Sequence, residues 1–416
     1  MNYDVVVAGA GAAGLLAAGS AANTGAKVLL IEKMEAAGKK ILITGNGRCN
    51  ITNAAPIHEF YKHVFPNPRF LRQAFSEFSN RHIVELLNKM GVITKTEDHN
   101  RVIPVSNKAS DVRDALLKWV SGMGVDIKYQ CKLVQIFTPE KVVEGIETES
   151  NGKLEKIKCK NLILCLGGNS FPATGSSGDG YHLAKTAGHS IKRIRPALVP
   201  LLTNNATQAG LQGLSLNDVI VSVWTQDKKI NEQRGEMLFT HFGMSGPAIL
   251  LVSKSVVECL EESKIVEIAI DLEPEMEEKE LDLEMLQHLG GHGKMKLENL
   301  LYRWLQPRLI RFFLTNFNLD GNKEGHQVNS SERKKIVKAI KNLRFQITGT
   351  RSFKEAVITT GGVKLEEVDS KTMQSKIVKG LFFAGEILDL DADTGGYNLQ
   401  IAWSTGYLAG KSWNRE

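Results

Sequence analysis

YDVVVAGAGAAGLLAAGSAANTGAKVLLIE, residues 3–32, decides the fold. Tyr3 to Ala8 is a short apolar run of β-forming residues, Leu15 to Thr24 an alanine-rich helix, and Lys27 to Ile31 a second apolar run. The order is strand, helix, strand, with GAGAAG at the first junction. In that setting Gly9 permits the tight turn, Gly11 lets a pyrophosphate approach the backbone, and Gly14 lets helix and strand pack closely. Ala12 and Ala13 fall at the helix start, where free N–H groups and the dipole favour anions. Glu32 ends the second strand, 18 residues after Gly14, where a carboxylate accepts from both ribose hydroxyls and repels a 2′-phosphate; Lys33 follows it. This unit predicts a bound dinucleotide and fits FAD and NAD equally.

Outward from it, Leu162 to Leu166, ending in Gly167-Gly168, and Gly380 to Ala384 read as buried parallel strands, so the same layer receives chain from both ends. Between Pro196 and Asp271 short alternating segments such as Val219 to Trp224 and Ile265 to Ile270 predict an antiparallel, barrel-like insert. From Glu273 the pattern is helical: an acidic stretch with a solvated face, then Leu297 to Phe313 with a kink expected at Pro307, then Ser331 to Leu343. Strand character returns at Arg344 to Thr348 and Glu355 to Thr359. The resulting division is 1–194 for the first part of the dinucleotide-binding domain, 195–272 for the barrel, 273–343 for a helical insert, 344–358 for return strands of the barrel, and 359–416 for the rest of the first domain.

Composition narrows the function classes. Hydrophobic residues make up 42% and charged residues 24% of 416 residues, ordinary for globular domains. The net charge of +6 comes from 52 basic and 46 acidic residues scattered along the chain, and no basic, aromatic-rich stripe argues for nucleic acid. No apolar stretch is long enough to span a bilayer, which argues against a membrane partner. Tyr3 opens the first strand too early for a secretory leader, and five cysteines without metal-like spacing fit a reducing compartment; a cytoplasmic location is the expectation. Nothing in the sequence speaks to oligomeric state.

Three further segments carry a resemblance. GKKILITGNGRCNITN (38–53), GEMLFTHFGMSGPAILLVS (235–253) and the block from Thr359 to Gly410 are similar, in order and spacing, to a bacterial family of NAD(P)/FAD-dependent oxidoreductases that includes aminoacetone oxidases and bile-acid-intermediate reductases. The resemblance implies an α/β fold: a Rossmann-like FAD-binding domain of the glutathione-reductase superfamily type, with an inserted antiparallel β-barrel domain that itself carries a helical sub-domain. It implies FAD as cofactor, with Lys40, Thr44, Gly45, Asn46, Gly47, Arg48, Cys49 and Asn50 along the pyrophosphate, ribityl chain and ring, and Leu133 bracketing the adenine. Gly385-Glu386 matches the place of an acidic residue on the ribityl chain, where wider relatives carry Asp. Gly396, Tyr397, Asn398, Leu399 and Gln400 open the last helix, whose N–H groups would face the pyrimidine side of the flavin and favour its reduced, more negative form.

For acid–base or redox chemistry the candidates are His241 and Cys49. A dithiol relay at Cys49 lacks a partner, since the next cysteine is Cys131, and a small side chain packed on the cofactor is its competing role. A hydrogen-bonded structural histidine competes likewise at His241. His288 and His292 are separated by Gly290-Gly291, read as a break in the helix, so no metal site is expected. With no second dinucleotide fingerprint, NAD(P)H would visit the flavin transiently and pass hydride, through FAD, to an electron-poor alkene or ketone lodged between the FAD domain and the barrel. A flavin amine oxidase using dioxygen, a tRNA-modifying or RNA-binding flavoprotein, and a non-enzymatic FAD sensor are the alternatives.

Overall fold

The computed structural model describes residues 2–204 and 210–414. The chain forms two compact units, Met1–Pro196 with Val357–Glu416, and Ala197–Ala356.

In the first unit the apolar opening run becomes the strand Asn2–Ala8, which pairs in parallel with Val28–Ile31 on one side and with the end of Lys153–Leu164 on the other. Asp126–Lys128 extends the sheet beyond Val28–Ile31, and Leu381–Phe383 adds in parallel to Lys153–Leu164. The long strand Lys153–Leu164 changes character along its length. Its largely exposed first half pairs antiparallel with Gly145–Ser150, whereas Asn161–Leu164 is buried at every position among parallel neighbours. The helices Ala12–Asn23 and Tyr397–Lys411 pack together on the sheet. Their contact is close because both are small where they meet: a Cβ on Gly406 would lie 2.2 Å from Ala13 O, and one on Gly410 2.2 Å from Ala17 O.

The strand expected at Glu355 to Thr359 is instead Ile358–Val363. It pairs with Ile191–Ala197 and lies in the first unit, so it is not a return strand of the barrel. Gly361 and Gly362 lie inside that strand.

The second unit is a closed six-stranded barrel in the order Leu201–Thr203, Gly243–Ser245, Lys228–Phe239, Ser215–Thr225, Val266–Asp271 and Leu343–Thr350. Alternation fills it: Val219, Val221 and Val223 are buried beside Val266, Ile268 and Ile270. Helices Pro247–Glu261, Glu278–Gly291, Pro307–Asn316 and Ser330–Lys341 share that core through residues such as Val252, Met285, Phe313 and Ile336. Leu297 to Phe313 is not one kinked helix. The chain turns through Leu297–Leu300 and Leu301–Arg303, and Pro307, which has no N–H to lose, starts a new helix. Gly290-Gly291 does not break the preceding helix, which runs to Gly291 and brings the His288 and His292 rings 4.7 Å apart. Among the described residues no group of three or more His, Cys, Asp or Glu is placed to hold a metal ion, and no helix is long and apolar enough to cross a membrane.

Candidate functional site

The glycines of GAGAAG divide their work as steric space dictates. A Cβ on Gly9 would lie 2.5 Å from Cys165 O, and one on Gly14 only 1.7 Å from Gly9 O, so both positions are closed by the protein itself. A Cβ on Gly11 would meet nothing within 4 Å. The backbone there faces open space at the mouth of the helix Ala12–Asn23, whose first helical bond is Leu15 N to Gly11 O at 3.0 Å. The N–H groups of Ala12, Ala13 and Gly14 precede that bond and are the helix's natural anion donors.

Glu32 stands at the same end of the sheet. Its carboxylate accepts from Ala10 N at 2.8 Å and Met34 N at 2.9 Å, which fixes its direction. Burial pushes its pKa above the ordinary glutamate value, with those N–H groups opposing the shift. Lys33 turns away: its ammonium pairs with Asp179 at 2.7 Å and also donates to Ser177. Leu133 is buried in Lys132–Phe137, and Cys131 N donates to Glu32 O at 2.9 Å, which brings that strand alongside the carboxylate's backbone.

The segment after the short helix Lys39–Ile43 folds into a loop of repeated left-handed turns, with φ of 55° at Gly45, 55° at Asn46, 83° at Gly47 and 59° at Cys49. Gly45, Asn46 and Gly47 are exposed, Thr44 and Asn50 half-buried. Thr44 is tied down by its hydroxyl, which donates to Ile41 O at 2.7 Å, and Arg48 is held by Glu97 at 3.0 Å. Cys49 is fully buried, and burial pushes its thiol up to about 12. A thiol that stays protonated is a poor nucleophile, and its burial suits a packing role.

Lys40 reaches the opposite side of this region. Its ammonium lies 2.8 Å from Glu386 and 2.9 Å from Ser170 Oγ, and Glu386 also accepts from Ser170 Oγ at 2.9 Å and Thr359 N at 2.8 Å. Burial alone would raise the Glu386 pKa, but Lys40 and these donors hold it below the usual carboxylate value. Gly167 and Gly168 make room for the cluster, since a Cβ on Gly168 would meet Thr359 Oγ1 at 2.5 Å and one on Gly167 would meet Ser176 Oγ at 2.6 Å. Gly385 N is capped by Thr405 Oγ1 at 2.9 Å.

Three stretches converge on the start of the helix Tyr397–Lys411. Gly396, at φ 100°, passes so close to Thr52 that a Cβ would lie 2.4 Å from its carbonyl carbon. Asn53 Nδ2 donates to Gly395 O at 3.1 Å, and Asp391–Ala392 pairs with Val64–Phe65. Two side chains expected at the flavin are spent elsewhere. Asn398 clips the preceding loop, exchanging bonds with Ala392 at 2.6 and 2.9 Å and donating to Asp393 O at 3.2 Å. Gln400 is fully buried, joining Thr52 Oγ1, Phe78 O and Ser404 Oγ. Leu399 packs on the core, and the backbone N–H groups of this turn remain as donors to a ligand. Tyr397 stacks on His63 with ring centroids 4.4 Å apart, and His63 Nδ1 lies 2.9 Å from Asp393.

His63, Asp393, Ser170 and Thr359 were not singled out from sequence. His63 and Asp393 lie 330 positions apart, and no local pattern links them. His241 belongs to the second unit, where it is exposed and edge-on to Phe242 at 4.9 Å.

The room over Gly11, the fixed carboxylate of Glu32 and the ammonium of Lys40 suit an anionic dinucleotide. Comparison with known proteins agrees. The profile of the HI0933-like protein Rossmann domain matches residues 3–412. The chain is 30% identical over 413 residues to a 3-dehydro-bile acid delta(4,6)-reductase of Clostridium scindens, covering 98% of each. It is 29% identical over 406 residues to a ribosomal RNA dihydrouridine synthase of Escherichia coli, covering 98% of this chain and 96% of the other. Among solved structures, the 3-ketosteroid delta1-dehydrogenase of Sterolibacterium denitrificans shares the fold with a TM-score of 0.55 at 13% identity, over 98% of both chains.

Proposed function

The chain belongs to the HI0933-like Rossmann-domain family of FAD-dependent oxidoreductases, and on that premise we propose that it reduces a carbon–carbon double bond conjugated to a carbonyl, with NAD(P)H as electron source. The observation that carries this reading is chemical. The two relatives, each matched along nearly its whole length, are named for different molecules, yet both names imply saturation of an alkene polarised by a carbonyl: the dienone of a 3-oxo steroid and the uracil ring. What differs is the body that carries the alkene.

Bound FAD would supply the hydride chemistry, accepting from a nicotinamide and giving to the alkene carbon. The chain's own residues bind and orient it. Gly11 and the N–H groups of Ala12, Ala13 and Gly14 would hold the pyrophosphate, Gly9 closing the turn behind them, while Glu32 would accept the ribose hydroxyls and Leu133 would lie against the adenine. Lys40, Glu386 and the loop Thr44–Asn50 line the ribityl chain and ring. The N–H groups at Tyr397 to Leu399 favour negative charge on the ring's pyrimidine side.

A second reading places the alkene in RNA. It is supported by the full-length likeness to the dihydrouridine synthase and stands against the charge distribution, which shows no basic stripe. Both readings are tested by incubating the FAD-loaded protein anaerobically with NADH or NADPH and either a steroid 4,6-dien-3-one or ribosomal RNA lacking dihydrouridine. Mass spectrometry should show a gain of two hydrogens in one of the two. Reduction of neither, with flavin bleached by a small amine instead, would replace the proposal with the oxidase alternative.

A further inference from the structure

Saturating such a double bond needs a proton as well as a hydride, and the first unit contains a dyad built to hold one. His63 Nδ1 lies 2.9 Å from Asp393 Oδ2, and Asp393 N donates back to His63 O at 3.0 Å, so side chain and backbone lock the pair together. The ring stacks on Tyr397 at 4.4 Å, and the Tyr397 ring is braced in turn by Phe60 at 4.9 Å. With Nδ1 committed to a carboxylate, the second nitrogen, Nε2, has no partner among the described residues, and the imidazole keeps 37% of its side-chain exposure. This is the arrangement in which a carboxylate fixes the tautomer and the direction of the ring, leaving Nε2–H for transfer.

Its place in the fold makes the dyad relevant to the flavin. Asp393 lies two residues before Gly395, on the loop that Asn398 clips, and that loop leads into the helix mouth assigned above to the ring. Val64–Phe65, next to His63, pairs with Asp391–Ala392, so both partners of the dyad are carried by one small sheet. The dyad is bordered by Tyr397 on the last helix, which feels Asp393 and Glu59, and Glu59 in turn pairs with Lys62 and His58. Glu59 is already paired with Lys62 at 2.6 Å, which leaves Asp393 as the carboxylate in contact with the ring. Burial, with Asp393 and Glu59 adding to it, keeps Tyr397 in its neutral phenol form.

We propose that His63, oriented by Asp393, delivers the proton that completes reduction of the substrate's double bond. The step balances. The π bond of the alkene breaks, and one C–H bond forms with the hydride that originates in the reduced nicotinamide. The second C–H bond forms with the proton from His63 Nε2, which water replaces. This inference rests on the alkene-reductase reading, and the test separates the two.

The enolate that precedes protonation is mimicked by pentafluorophenolate, which stays ionised across neutral and alkaline pH. Its binding to the FAD-loaded protein is followed through the flavin absorbance, in wild type, His63→Gln and Asp393→Asn, with flavin content and near-ultraviolet circular dichroism as folding checks. Wild type should bind the anion with an affinity that declines as pH rises and the imidazolium is lost. His63→Gln should bind roughly tenfold or more weakly at neutral pH, the scale of one charge-assisted hydrogen bond, and lose the pH dependence. Asp393→Asn, which leaves the ring without its carboxylate partner at 2.9 Å, should bind the anion more weakly than wild type. Equal affinity and pH profile in wild type and His63→Gln would overturn the assignment of His63 while leaving the alkene-reductase reading standing. Absence of binding to the wild type would likewise overturn the assignment of His63, whereas failure to reduce either an enone or RNA would overturn the alkene-reductase reading itself.

Discussion

Glu32 and Cys49 show how one quantity, burial, gives opposite meanings to two ionisable residues. The Glu32 carboxyl is buried yet receives two backbone N–H groups, so it is held ready for further donors, whereas the Cys49 thiol is buried without a cation. Glu32→Ala should weaken FAD binding by about 1–3 kcal/mol, or roughly five- to 150-fold in Kd by flavin fluorescence titration. Unchanged affinity would remove Glu32 from the ribose. Because its pKa is raised, Glu32 takes up its proton at higher pH than an exposed glutamate, so FAD release on acidification should begin at correspondingly higher pH and shift in Glu32→Gln. Cys49→Ala should keep wild-type rates of flavin reduction, and the native thiol should resist iodoacetamide. Rapid alkylation with loss of turnover would restore a chemical role.

At the scale of elements, the nucleotide-binding turn was legible because each glycine answers to a steric demand within a few residues of itself. The end of the chain was less so. Sequence placed Asn398 and Gln400 at the mouth of the last helix, but the direction of a side chain depends on what surrounds the helix. Here Thr52, Phe78 and Ser404 claim Gln400, and Ala392 and Asp393 claim Asn398. Gln400→Ala should therefore lower stability in urea by about 1–3 kcal/mol by orphaning buried partners. A loss of FAD affinity with wild-type stability would contradict this. A second element junction predicts a pH dependence. His189 follows the helix Asp179–Thr186, and its buried imidazole is bonded to Ser375 Oγ at 2.9 Å, near Glu367. Burial lowers its pKa despite Glu367, so the unfolded chain binds the proton more readily than the folded one. Stability should fall as pH drops below the free histidine value of about 6.5, and this slope should be smaller in His189→Gln. An identical slope in the variant would place the effect elsewhere.

For the whole molecule, the chain divides into an FAD unit and a barrel unit. The sequence made the first legible through local motifs. It left the second open, because alternating strands fill a barrel core whatever the barrel recognises. If the alkene lies in RNA, the net charge of +6 should act at a distance: KM for an RNA substrate should rise steeply with KCl, while KM for a small enone stays nearly constant. Equal salt dependence would remove the RNA reading. The central claim is that hydride passes from a nicotinamide through FAD to a polarised alkene, and anaerobic stopped-flow absorbance tests it most directly. The account predicts that NADH or NADPH bleaches the flavin and that an enone or uridine-containing RNA restores its oxidised spectrum without dioxygen; bleaching by an amine alone, with colour returning only on admission of dioxygen, would contradict it.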